Sequence, residues 1–485
     1  MIFNSITYLL FLAIFAVIYW KFNTGKIRYL MVFAASLVFY GFWKIIFIPV
    51  MLASVVLDYF VALKLEKTQK VTHKKALLSL SLLGNLGLLF YFKYLIFFSN
   101  NVLGFINIIG IEADPILYKI ILPLGISFYT FQTISYTVDV FRGHVNAERN
   151  FLLYASYVTF FPQLIAGPIL RAREVIYQLS SQYQATPSDI YLGIKRIIYG
   201  LFLKVILADN IAPLVDTGFN SSIELLSAID VWTLSFLFGF QIYFDFSAYS
   251  HIAIGSARIL GIKFPENFNF PYIASSPRDF WKRWHISLSS WIRDYLYLPL
   301  TGTKVIKPGS SEGGLEQAVT EERKNQALFL TWAIMGLWHG ANWTFVIWGI
   351  YHAFWIFLFR ISIKIDSIRW LLKSSFRSFI ITLPIMMLGW IPFRAQSISE
   401  TFIMWSKVFD ISQYGYLSMR ENSYLIAAIL LIGFLLTYLI STESKRLLNS
   451  NILITRGLEA VILIIIIPFI LIFLRPITQF IYFQF

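Results

Sequence analysis

Cysteine is missing from all 485 positions. Its absence excludes a disulfide framework, a thiolate metal site and a thiol nucleophile, so any covalent intermediate carried by this chain must use oxygen or nitrogen. Charge is scarce, at 14% of residues. No glycine-rich phosphate loop, HExxH pair, metal-ligand cluster or GxSxG context interrupts the sequence, and no metal is expected. Internal repeats and low-complexity tracts are absent as well. What is abundant is apolar: 58% of residues are hydrophobic and 18% aromatic, and the mean hydropathy is +0.67. That balance belongs to a protein dissolved in lipid.

A span needs about 20 mostly apolar residues to cross a hydrocarbon core of roughly 30 Å. About eleven stretches qualify, some short or interrupted. The expected fold class is an all-α polytopic membrane protein whose transmembrane helices, with re-entrant or interfacial ones, surround a buried tunnel. It is read as one integral-membrane domain over residues 1–485. The run from Ile2 to Trp20 lacks a basic leader and a small-residue cleavage site, and reads as a retained first span. The net charge of +14 forms no continuous stripe or nucleic-acid motif, so the expected partner is membrane lipid and no nucleic acid. Lys21, Lys26 and Arg28 fill one loop. Lys64, Lys67, Lys70, Lys74 and Lys75 fill a later one, two spans on, with a tight turn near Lys44 to Pro49 between. The positive-inside rule puts both loops in the cytoplasm and the N-terminus outside. Glu112 and Asp114, after a span over Ala76 to Phe98, then fall outside.

Between Ser188 and Leu300 the apolar runs are broken by Pro213, Pro265, Pro271 and Pro277. Irregular backbone at membrane depth survives only where protein or a wet cavity shields it, so a cavity is expected there. Thr303 to Gln326, rich in Gly, Ser and balanced charge, reads as a solvent-exposed loop.

Ionisable groups inside a span cost about 2.5 to 3.5 kcal/mol and need partners, water or a function. They concentrate in two places. Gln241 to Trp291 holds Asp245, His251, Arg258, Glu266, Arg278, Asp279, Lys282, Arg283 and His285. A helix over Pro277 to Trp291, capped by Ser276, would set His285 and Ser289 on one face, ringed by Trp281, Trp284 and Trp291. Two readings stand side by side: an interfacial aromatic belt, or a functional face. The second place is a long helix-like run from Leu328 to Phe357, whose ionisable residues are His339 and His352. Gly336, Gly340 and Ala341 flank His339 and would admit neighbouring backbone or a narrow ligand. A neutral imidazole can take a proton from a hydroxyl. His352 reads as interhelical hydrogen-bonded packing. Ser127, Gln132, Arg171, Arg173 and Glu174 are weaker candidates.

Six ordered stretches resemble the membrane-bound O-acyltransferase family, in its alginate and peptidoglycan O-acetyltransferase branch. They are Pro123 to Gly143, Phe161 to Glu174, Tyr243 to Tyr272, Asp279 to Leu300, Gly336 to Gly349 (GLWHGANWTFVIWG) and Phe480 to Phe485 (FIYFQF). The resemblance implies that His339 matches the family's near-invariant histidine and His285 its second motif residue. Asn342, Ser289, Trp338, Asp245 and Arg283 complete the expected substrate-binding set. It also implies acetyl-CoA as acyl donor with no bound cofactor, a polysaccharide acceptor, a periplasmic SGNH-type partner, and residence in the bacterial cytoplasmic (inner) membrane. Two departures stand out: the insert at 303–326 replaces a shorter, more basic loop, and Ile334 and Met335 precede GLWHG where a glycine is common. The alternatives are D-alanyl transfer to teichoic acids within the same fold, a transporter, and a non-catalytic scaffold.

Overall fold

A computed structural model describes residues 1–22, 25–165, 167–181, 185–303, 320–447 and 452–474. Among them every regular element is helical. Six helical segments are long and apolar enough to cross a membrane, from Gly25–Lys67 to Glu421–Thr442, and Ile6–Lys21 and Glu459–Phe473 are shorter apolar helices. The expected turn near Lys44 to Pro49 divides the first segment. Lys44 is extended, one 3-10 turn follows, and the two flanking helices have 20 residues each. By contrast, Val71–Ile108 runs on as one long segment, with a π-helical turn at Phe90–Tyr94 in its middle. Residues 304–319 of the expected loop, and the FIYFQF ending, lie outside the described residues. The charged end of that insert is not loop: Thr320 caps the helix Glu321–His339, which takes in residues 321–326.

Short polar residues write the helix ends. Ser5, Asn150, Thr186, Ser227, Ser276, Asn342 and Ser397 each accept a backbone N–H from the first turn they precede, worth about 1 kcal/mol apiece.

Unlike a water-soluble bundle, this one is apolar on the outside as well as in its core. Outer helices turn Ile, Leu and Phe outward, as at Ile464, Leu439 and Phe60, where lipid is as good a solvent as another helix. Within the aromatic and aliphatic core, close backbone contact and polar pairing join particular helices. The 32-residue helix Ala228–Ile259 is buried along nearly its whole length. It meets Pro187–Leu201 through glycines: a Cβ on Gly193 would stand 2.8 Å from the Gly255 carbonyl oxygen, and one on Gly255 would stand 2.6 Å from that of Gly193. Elsewhere Asp58 accepts from Ser81 Oγ (2.5 Å) and Asn85 Nδ2 (2.7 Å), tying Ile48–Lys67 to Val71–Leu89, and Thr133 joins them from Ile126–Phe141. All are buried.

In the irregular stretch between Leu260 and Ser276, Lys263, Pro265, Glu266 and Asn269 are exposed while most of the remainder is buried in protein, and Asn267 ties it down. Its amide donates to Ser250 Oγ (3.0 Å), its side-chain oxygen accepts from Ser287 N and Oγ, and its backbone carbonyl accepts from Ile286 N at 2.9 Å. Backbone groups that lipid could not satisfy are thereby paired inside the bundle.

Candidate active site

His339 is the last residue of Glu321–His339. Gly340 is extended (φ −157°), and Asn342 caps the next helix, Trp343–Ser362. The long run read from sequence is therefore two antiparallel-packed helices with His339 at the break. The small residues do what their size allows: a Cβ on Gly336 would lie 2.1 Å from the Phe345 carbonyl oxygen, and one on Gly349 would lie 2.1 Å from that of Trp332. Neighbouring backbone occupies that space. The imidazole is 4% exposed and is framed by Trp348 (4.8 Å between ring centroids), Trp338 (4.9 Å) and Phe393 (5.2 Å). Its open side meets a cavity of about 330 Å³ that also touches Trp338, Ser127, Lys93 and residues 122–126.

A second cavity, of about 720 Å³, lies along the same helix on its N-terminal side, touching Leu328, Thr331, Trp332 and Met335. Arg278, Lys282, Arg293, Lys324, Arg360 and Lys364 line it against the single acid Glu321, and Trp281 and Trp332 supply aromatic walls. A chain of contacts places it toward the lysine-rich end of the bundle. Glu66 holds Ala147 N and Arg149, the same loop sends Arg142 to the Asp294 carbonyl, and Arg293 beside Asp294 reaches the cavity. His339 thus lines the smaller, mostly apolar cavity, and the cation-lined chamber ends about one turn away on the same helix, at Met335.

His285 is fully buried, but the helix expected over Pro277 to Trp291 is broken there. Pro277–Arg283 ends, His285 takes a left-handed conformation (φ 40°), and Ile286–Ile292 begins. His285 and Ser289 consequently do not share a helical face. Ser289 Oγ donates to the Trp284 carbonyl and its residue lines the cationic chamber. The His285 ring packs edge-on to Phe246 (4.5 Å) and parallel to Phe268 (6.5 Å), and among the described residues neither of its nitrogens makes a hydrogen bond. The belt reading fails as well: Trp281, Trp284 and Trp291 are 7%, 1% and 6% exposed, so they build the core rather than a headgroup girdle.

His352 is caged by Trp281, Trp348, Trp332 and Tyr351, at 4.9 to 5.6 Å. Its packing is by rings, not by the interhelical hydrogen bond expected, for both nitrogens lack a partner among the described residues. Trp348 touches both His339 and His352, and His285 and Lys93 also lie within electrostatic range of His339.

The remaining expected residues divide. Trp338 joins His339 at the small cavity, stacked on Phe131, which stacks in turn on Trp291. Asn342 is exposed and its side-chain oxygen accepts from Thr344 N as a helix cap. Arg283 donates to Asp279 at 3.1 Å. Asp245 sits in a buried triad, where Lys204 Nζ reaches Asp245 at 2.8 Å and Asp209 at 2.9 Å. Neither Arg283 nor Asp245 lines either cavity. Arg171 pairs with Asp294 at 2.6 Å over the Tyr295 ring, a contact between segments rather than one with an open site. Ser127 does line the small cavity. Sequence reading passed over Lys93, the lone cation in LLFYFKYLIFF, which lines that cavity too. Its cost within an apolar span was the available signal.

The profile of the membrane-bound O-acyltransferase family matches residues 9–392. Among relatives, a probable alginate O-acetylase of Azotobacter vinelandii is 36% identical over 443 residues, covering 89% of this chain and 83% of its own length. A peptidoglycan O-acetyltransferase of Helicobacter pylori is 37% identical over 393 residues, covering 76% and 71%. A teichoic acid D-alanyltransferase of Bacillus subtilis is 32% identical over 239 residues, covering 47% and 57%.

Proposed function

Since the chain belongs to the membrane-bound O-acyltransferase family, we propose that it is the membrane subunit that moves acetyl from a cytoplasmic thioester to an extracytoplasmic polysaccharide. The observation that carries this reading is that one helix, Glu321–His339, borders a cation-lined chamber along its length up to Met335 and presents His339 to a smaller cavity at its end. The chamber ringed by six cations suits the phosphates of a donor such as acetyl-CoA, and it lies toward the lysine-rich end that the positive-inside rule makes cytoplasmic. The smaller chamber would receive the acceptor hydroxyl from the other side.

In the proposed reaction a His339 nitrogen takes the proton of the acceptor hydroxyl as its oxygen attacks the thioester carbonyl carbon. The C–S bond breaks, the ester C–O bond forms, and the proton passes from His339 to the departing thiolate, leaving a free thiol. Trp338, Trp348 and Phe393 cover the other sides of the imidazole, so that the acceptor would approach it from the cavity alone. His285 lines neither cavity and lies within electrostatic range of His339, so in this scheme it acts on the acyl group only through His339. Asn342 keeps its capping duty, and Asp245 and Arg283 act through the fold.

The O-acetylase and peptidoglycan relatives match across at least 76% of the chain, whereas the D-alanyl relatives match about half of it, 47% and 53%. We therefore favour acetate over D-alanine, with an alginate-like exopolysaccharide or peptidoglycan as acceptor and a periplasmic SGNH-type protein completing the transfer. Alkali-labile acetate, measured in separated peptidoglycan and exopolysaccharide from cells with and without the protein, tests this. Loss of ester from one fraction in cells lacking the protein supports the reading and names the polymer; ester unchanged in both fractions refutes it.

A further inference from the structure

The small cavity at His339 is bounded by a cation that the proposed reaction does not use. Lys93 stands at the π-helical turn Phe90–Tyr94, where the long segment Val71–Ile108 changes register. Among the described residues no carboxylate pairs with it. Its Nζ donates instead to two backbone carbonyls, of Trp338 at 2.5 Å and of His339 at 3.0 Å, and lies 5.8 Å from the centre of the Trp338 ring.

Those carbonyls are the final ones of Glu321–His339. The last four carbonyls of any α-helix have no partner within it, and they form the negative end of its dipole. Helices commonly satisfy them with a left-handed residue after the last turn. This helix does not: Gly340 is extended and closes no such turn. A buried ammonium from another segment substitutes for the missing cap, and an ammonium at a helix C-terminus is favoured by charge as well as by hydrogen bonding. The π turn matters because one extra residue in the turn rotates Lys93 relative to the apolar face around it. Lys93 also borders the neighbouring outer cavity with Asn101 and Ala341, so it forms part of the partition between the two spaces.

We infer that Lys93 is a positioning residue: by fixing the carbonyls of residues 338 and 339 it sets where the His339 imidazole points. The inference rests on His339 doing the chemistry, but its first readout does not. Lys93→Met, Lys93→Gln and Lys93→Arg would be made in the full-length protein, with His339→Ala as comparator. Methionine keeps length and apolarity, so membrane insertion is retained. Deuterium uptake at peptides covering 336–342, by mass spectrometry in detergent, reports the helix end. Ester acetate in cells reports transfer.

The expected result is raised uptake at 336–342 in Lys93→Met and Lys93→Gln, with uptake elsewhere as in the parent, and acetate lowered roughly 10- to 100-fold, the scale of an ångström-sized misplacement. Lys93→Arg, which can still reach two carbonyls, restores both in part. His339→Ala loses acetate with normal uptake. Unchanged uptake in Lys93→Met overturns the inference whatever the acetate does. Raised uptake with full acetate overturns it too, since the helix end would then not govern the reaction. If the parent protein transfers no acetate, the proposed function fails while the uptake comparison still decides what holds the helix end.

Discussion

Gly336→Ala tests how finely the two helices at His339 are set. An alanine Cβ at that position would fall 2.1 Å from the Phe345 carbonyl oxygen, 2.9 Å from its carbon and 3.2 Å from the Val346 Cα. These are backbone atoms of the partner helix and cannot swing aside as a side chain would. Real Cβ contacts begin near 3.0 Å, so one helix must retreat by at least 0.9 Å. Overpacking of this kind costs about 1–3 kcal/mol. The movement lies one turn before His339 and in the helix that carries Trp348, whose ring is 4.8 Å from the imidazole. A displacement near 1 Å at a reacting group can cost on the order of 100-fold in rate. The prediction is ester acetate reduced at least tenfold, with a lowered unfolding temperature in detergent. Gly87→Ala serves as control, because a Cβ there meets nothing within 4 Å. Parental acetate and stability in Gly336→Ala would refute the claim that glycine-mediated contact positions the site.

Other predictions follow from the same geometry. Lys204→Met removes the cation shared by Asp209 and Asp245 and should destabilise the folded protein by about 3–5 kcal/mol; the loss of unfolding temperature should be partly recovered by adding Asp245→Asn. Lys324→Gln with Arg360→Gln, in the cation-lined chamber, should raise the KM for a phosphate-bearing thioester several-fold and leave kcat nearly unchanged. The double variant should also flatten the dependence of KM on salt, since fewer charges remain to be screened; an unchanged KM would remove this chamber from the donor path.

The parts of this arrangement that were legible in the sequence are those whose cause is local. Ser276 before Pro277, the turn at Lys44 to Pro49, and Gly336 before His339 announce themselves by residue type and spacing, and all three have the predicted consequence, whereas Gly340 meets the Phe345 ring and not backbone. The break at His285 was not legible because nothing local demands it: no glycine stands there, and Pro277 to Trp291 patterns well as a single helix. Asn267, some 20 residues upstream, pulls the chain into another path by accepting from Ile286 and Ser287. Asp245 shows a related limit. A costly buried carboxylate signals that a partner exists, and sequence does not say whether that partner is a substrate or, as here, Lys204. Lys93 was overlooked because one lysine does not disqualify an apolar span, and its carbonyl partners lie 245 and 246 residues away.

The most direct test of the central claim is ester acetate on the acceptor polymer in cells whose protein carries His339→Ala, compared with the parent at equal membrane abundance. The account predicts acetate at the level of cells lacking the protein. Acetate at the parental level would contradict it and remove His339 from the reaction.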